Sequence, residues 1–247
     1  MDHIVWAVLV GTLLAGFVQG LSGFGFGLVA MSVWAWTLEP RLAASLAVFG
    51  ALVGQVMATF TLRRKVNWPL LWPFLIGGLL GIPLGVMVLP LVNVALFKAI
   101  LGGLLVIWCP SMLLATRLPP VSIKHPLANA VVGAVGGVMG GLGGFSGAVP
   151  TLWCTLKQMD KDAQRSVIQN FNLSILAVTL LTYVGTGIVT TDMLPLFALI
   201  VPTLLVPVFL GTRVYIGISD QTFKKIVLSL LTLAGVTLLL SALPQLL

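Results

Sequence analysis

Three stretches of this chain carry residue types whose spacing could do chemistry. The first is Gly20-Leu21-Ser22-Gly23-Phe24-Gly25-Phe26-Gly27. The second, 121 positions on, is Gly141-Leu142-Gly143-Gly144-Phe145-Ser146-Gly147-Ala148. Across Gly16–Phe24 and Gly137–Phe145, five of nine positions are identical. The third is a polar stripe in which Arg165, Gln169 and Asn172 stand at i, i+4 and i+7, one helical face, with Ser166, Asn170 and Ser174 beside them. Glycine lets a ligand approach the backbone closely. A helix that begins after a glycine break leaves its first N–H groups without intrahelical partners, and its dipole favours an anion there. Ser22 and Ser146 could add hydroxyl donors, and side-chain amides are neutral donors. The chemistry expected is reversible binding of a small anion, with Arg165 acting on its access.

The residues that are missing narrow this further. Asp2, Glu39, Asp160, Asp162, Asp192, Asp220, His3 and His125 all fall in predicted loops or at termini. Proton relays and cation carriers usually need such a group within a span, so a metal cation is not the expected cargo. No Cys/His cluster has ligand spacing, and no Walker-type GxxxxGK is present. The Gly23-x-Gly25-x-Gly27 spacing is not a dinucleotide fingerprint. No metal and no cofactor is expected. Cys109 and Cys154 lie in apolar runs and read as small buried hydrophobes.

The elements that must position these residues are membrane helices. Hydrophobic residues make up 59% of the 247 and charged residues 8%, and mean hydropathy is +1.13. A soluble chain would carry about 25% charge. The runs are continuous rather than alternating, which predicts helices and not a barrel. Ten apolar segments can be marked, at about 4–20, 24–37, 42–62, 69–89, 94–115, 126–141, 144–156, 163–184, 193–212 and 222–243. Most reach the length needed to span, while the second and seventh are too short. Met1-Asp2-His3 has no basic n-region, so the first segment reads as a span and not a signal peptide.

The repeat continues past the glycines. Pro69-Leu70, Gly85, Phe97-Lys98, Ile100 and Leu104-Leu105 match Pro195-Leu196, Gly211, Phe223-Lys224, Ile226 and Leu230-Leu231 at an offset of 126. Residues 1–118 and 119–247, the latter opening with a proline-containing linker, are therefore expected as two five-segment units. Five is odd, so the second unit should be inverted. With the N-terminus outside, the predicted inner loops hold Arg63, Arg64, Lys65, Arg117, Lys124, Lys157, Lys161, Arg165, Arg213, Lys224 and Lys225. Only Arg41 and Lys98 fall on the outer side. That asymmetry obeys the positive-inside rule and places both termini outside. It also accounts for the net charge of +7 without a nucleic-acid partner. A full crossing or a re-entrant hairpin of the first two segments satisfies it equally.

Paired glycine-broken segments at equivalent places in inverted halves point to a secondary transporter's midplane site. The competing reading is that these glycines only pack helices. Gly77, Gly81 and Gly85, and Gly133, Gly137 and Gly141, do have small-xxx-small spacing. For Gly77, Gly81 and Gly85 packing is the preferred reading.

The doubled glycine-phenylalanine motif, with Gly81 to Gly85 and then Phe97-Lys98, resembles the TauE/SafE family of sulfite and organosulfur-anion exporters over nearly the whole chain. The resemblance implies transport of a small sulfur-containing anion, such as sulfite or a sulfoacetate-like sulfonate, across the bacterial inner membrane. It carries the family's glycines onto Gly20, Gly23, Gly141 and Gly144. The expected fold is an all-α polytopic membrane protein of two inverted five-segment repeats, its short helices meeting near the midplane. The expected substrate-binding set is Gly20, Ser22, Gly23, Phe24, Gly25, Gly141, Gly144, Phe145, Ser146, Gln169, Asn170 and Asn172. The partners implied are the anion and the lipid bilayer, and a homo-oligomer is compatible. The alternatives are a passive anion channel or a membrane-embedded sulfur-transfer factor using Cys154.

Overall fold

The computed structural model describes residues 2–23, 25–61, 66–115, 118–123, 125–214 and 220–246. Ten α-helices occupy them: α1 (Asp2–Ser22), α2 (Phe26–Trp34), α3 (Pro40–Thr61), α4 (Trp68–Val88), α5 (Val94–Ala115), α6 (Pro126–Gly143), α7 (Ala148–Leu156), α8 (Lys161–Gly185), α9 (Leu194–Val214) and α10 (Asp220–Leu246). No strand occurs among the described residues. Eight of the helices are long and apolar enough to cross a membrane. The two that are not, α2 and α7, have nine residues each, about 13 Å of helix. These are the second and seventh apolar segments, as their lengths predict.

Each short helix doubles back on the helix before it. The Trp34 indole N–H donates to the Ala7 carbonyl at 2.9 Å, tying the end of α2 to the start of α1. The Trp153 indole N–H donates to Asn129 Oδ1 at 2.9 Å, tying the end of α7 to the start of α6. Both pairs are therefore hairpins rather than two crossings.

The long helices pack in crossed pairs: α1 along α9, α4 along α6, α5 along α10 and α3 along α8. Lipid tails are as apolar as leucine, so such pairs are held by close approach and not by hydrophobic exclusion. Glycines supply that approach. A Cβ on Gly77, Gly81 or Gly85 would strike the backbone of α6 at Ala130, Ala134 or Val138. The packing reading of those three is correct.

The burial pattern separates inside from outside. In α2, Phe26 through Met31 and Trp34 are all buried. Leu80, Ile107, Leu181, Val206 and Leu240 are bare on the long helices. An apolar exterior of this kind needs lipid against it.

Candidate functional site

The site begins where the two hairpins turn. At the end of α1, Gly23 takes φ 74° and Gly25 takes φ 99°. These left-handed values strain any residue with a side chain. Gly23 follows the end of α1 and Gly25 caps the start of α2. At the end of α6, Gly144 takes φ 77° and its N–H donates to the Gly140 carbonyl at 2.9 Å. The two turns abut. A Cβ on Gly27, in the first turn of α2, would lie 2.6 Å from the Gly144 carbonyl oxygen.

Between them lies a cavity with about 20 Å³ for the centre of a water-sized sphere. That is room for about one water molecule. Its walls come from the first hairpin (Gln19, Gly25, Phe26, Gly27, Leu28), the second (Gly144, Phe145, Ser146, Gly147, Ala148), α3 (Ala51, Gln55) and α8 (Asn172, Leu176). Among the described residues no ionisable side chain lines it.

Its polarity comes from four neutral side chains and from helix ends. Ser146 Oγ donates to Asn172 Oδ1 at 3.0 Å, which leaves the Asn172 NH2 as donor. Gln19 Oε1 accepts from the Phe26 N–H at 3.2 Å, and Gln19 Nε2 donates to the Ala51 carbonyl at 3.2 Å. Gln55 Nε2 donates to the Gly23 carbonyl at 2.9 Å. Tyr183 donates its hydroxyl to the Gly141 carbonyl at 2.6 Å. Two carbonyls at the C-terminal ends of α1 and α6 are thus capped by side chains. The N–H groups of Gly27 and Leu28 have no intrahelical partner, since the first such bond of α2 runs from Val29 to Gly25 at 3.0 Å. The arrangement suits a small anion held by neutral donors.

The predicted residues divide. Gly25, Gly144, Phe145, Ser146 and Asn172 line the cavity. Phe24 lies outside the described residues. Gly20 and Gly141 sit in helix pairs instead. Gly20 faces Val208 and Gly211 of α9, and Gly141 faces Ile82 and Gly85 of α4. Their lack of a side chain is used by a neighbouring backbone, and neither reaches the cavity wall. Ser22 donates its hydroxyl to the Val18 carbonyl at 2.8 Å and borders an adjoining apolar cavity, lined also by Trp108 and Leu231, that shares Gly25 and Leu28 with the first. Gly23 contributes its carbonyl to Gln55, and a Cβ there would meet nothing within 4 Å. Its constraint is conformational, not steric.

Of the four amides on α8, Gln164, Gln169, Asn170 and Asn172, the last alone is on the wall. Gln169 Nε2 donates to Thr59 Oγ1 of α3 at 3.1 Å, and Asn170 Nδ2 donates to the Ser166 carbonyl at 2.7 Å. Arg165, in the first turns of α8, is half-buried and off the wall. Neither Gln19 nor Gln55 is among the site residues expected from the sequence. The available signal was a glutamine one turn ahead of a glycine break, in an otherwise apolar run.

The sulfite exporter TauE/SafE family model matches residues 8–238, a stretch that contains both hairpin turns and every wall residue of the cavity. The chain belongs to the sulfite exporter TauE/SafE family. No curated protein and no solved structure matches it. Membership together with eight spanning-length apolar helices makes this a multi-pass membrane protein of a transport family. The thiol of Cys154, the residue on which a sulfur-transfer reading would depend, is buried in the apolar core.

Proposed function

We propose that this chain is a secondary transporter that exports a small sulfur-containing anion, sulfite or a sulfoacetate-like sulfonate, across the bacterial inner membrane. The observation that carries the reading is the cavity where the two repeated glycine motifs meet Asn172. The anion would lie against the first turn of α2, with Ser146 and Asn172 supplying side-chain contacts. Neutral donors fit a carrier, which must release what it binds.

We read the two halves as inverted repeats, with both termini outside. The helix pairing supports this. If α1–α5 correspond to α6–α10, the α1–α9 pair is the counterpart of the α6–α4 pair, and both occur. The Gly20–Gly211 approach is likewise the counterpart of Gly141–Gly85. The site then sits on the pseudo-two-fold axis, and rocking of one half against the other would expose it alternately. A cavity with room for about one water would have to widen during that cycle to take the anion.

The test is transport by the purified protein in proteoliposomes. Sulfite loaded inside should drive saturable uptake of labelled sulfite, with competition by sulfoacetate, taurine or thiosulfate ranking the cargo. Flux that rises without saturation and shows no counterflow would replace the carrier by a channel. The absence of any flux or binding would remove the cavity as a substrate site.

A further inference from the structure

Gln55 leaves one atom of the cavity unexplained. Its side chain is 1% exposed. Nε2 is held by the Gly23 carbonyl at 2.9 Å, while Oε1 is sealed from solvent with no hydrogen-bond partner. The amide cannot simply turn over, because that would set its oxygen against the Gly23 oxygen. The cavity's other two side-chain amides differ. Gln19 Oε1 accepts from Phe26 N–H, and Asn172 Oδ1 accepts from Ser146. So among three amide oxygens on one small wall, one is left as a bare acceptor.

A bare acceptor conflicts with a ligand that offers only lone pairs. Sulfite dianion or a plain alkyl sulfonate would place oxygens near Oε1 and leave both unpaired. A buried unsatisfied acceptor is destabilising. A ligand with an O–H or N–H next to its sulfur-oxygen group removes the conflict.

We propose that Gln55 is a specificity residue that selects anions carrying a hydrogen-bond donor: hydrogen sulfite, or sulfonates bearing a hydroxyl or amino group. This rests on the cavity being the substrate site. The negative part of such a ligand meets the N–H groups of Gly27 and Leu28 and the Asn172 amide, and its donor meets Gln55 Oε1. Cargo that brings its own proton also fits a chain whose carboxylates and imidazoles lie at the ends of the spans or beyond them, none in a span's interior.

The probes are 2-hydroxyethanesulfonate and ethanesulfonate, which differ by one hydroxyl. Calorimetry on the purified full chain should give about tenfold tighter binding of the hydroxylated compound. Gln55→Met keeps the length and removes the acceptor, and should bring the two within about twofold of each other. Loss of the Gly23 contact in that variant weakens both compounds alike, so the ratio isolates Oε1. Equal binding in the unchanged protein overturns the proposal, as does a preference that survives Gln55→Met. A sodium requirement with no hydroxyl preference would assign Oε1 to a cation and also overturn it. If Gln55→Met does not fold, the comparison in the unchanged protein decides alone. Failure of both compounds and of sulfite to bind would instead remove the site itself.

Discussion

The α1–α2 turn and the α6–α7 turn are built from nearly the same residues and held in different ways. At the first, two glutamines do the work: Gln19 caps the Phe26 N–H, and Gln55 caps the Gly23 carbonyl. At an offset of 121 their counterparts are Gly140 and Leu176, which can do neither. The second turn instead closes on its own backbone, with the Ala148 N–H on the Phe145 carbonyl at 3.0 Å. Its side-chain polarity is Ser146 bonded to Asn172, whose first-half counterparts are Gly25 and Ala51. The backbone shape of the turn has been kept while the polar side chains have changed position. A site made from two such halves is symmetric in outline and asymmetric in its donors and acceptors.

The largest expected effect tests how differently the two turns are packed. Gly23 and Gly144 share a left-handed backbone. Around Gly23 there is open space, whereas a Cβ on Gly144 would lie 3.2 Å from the backbone of Ala47 and Val48. Gly23→Ala should therefore cost only the backbone strain, about 1–2 kcal/mol of stability. Gly144→Ala should add about 1–3 kcal/mol of overpacking and abolish anion binding by displacing the cavity wall. Thermal unfolding in detergent and calorimetry on both variants check this. Equal losses in the two would mean that local space around the turns does not matter.

A smaller effect separates the amides of α8. Asn172→Ala removes a wall donor and leaves the Ser146 hydroxyl without its acceptor, so anion affinity should fall by about 1–3 kcal/mol. Gln169→Ala breaks a bond to Thr59, off the wall, and Asn170→Ala one to its own helix. Both should bind within about threefold of the unchanged protein, since neither removes a group from the wall. If Asn170→Ala matches the loss in Asn172→Ala, the donor arrangement around the cavity is wrong.

These contrasts mark how far the residues alone could be read. Helix existence and length were legible because charge, Pro and Gly interrupt long apolar runs, and the nine-residue helices stand out by shortness. The hairpin geometry was not, because it rests on Trp34 reaching Ala7 and Trp153 reaching Asn129, which no periodicity announces. The glycines of a motif read alike in the sequence and have different surroundings in the structure. Gly20 and Gly25 look alike in one motif, and what divides them is α9, nearly two hundred residues away in sequence. The polar stripe of α8 groups Gln169, Asn170 and Asn172, and of these Asn172 lines the cavity. Gln169 precedes Asn172 by three residues, about 4.5 Å along the axis. That step is enough to move an amide from the cavity to the α3 contact.

The smallest expected effect belongs to Arg165, because it acts through charge and not through contact. It precedes Asn172 by seven residues, roughly 10 Å along α8, and does not line the cavity. At that separation a unit charge is worth about 0.4 kcal/mol in water and about 1.7 kcal/mol at an effective dielectric of 20. Exposed charges at that range are largely screened at physiological salt. Arg165→Ala should therefore weaken binding less than Asn172→Ala, and the deficit should shrink from low salt to high. The association rate should fall more than the dissociation rate rises, as for a charge that steers an anion toward its site. Arg165 also has interactions of its own within the fold, so Arg165→Lys is the needed companion. It keeps the charge and loses the guanidinium geometry. If Arg165→Lys restores both the rate and its salt dependence, the charge is what acts. If the deficit persists at high salt and in the lysine variant, Arg165 works by holding α8 in place, and the cavity's electrostatics then come from its neutral donors alone.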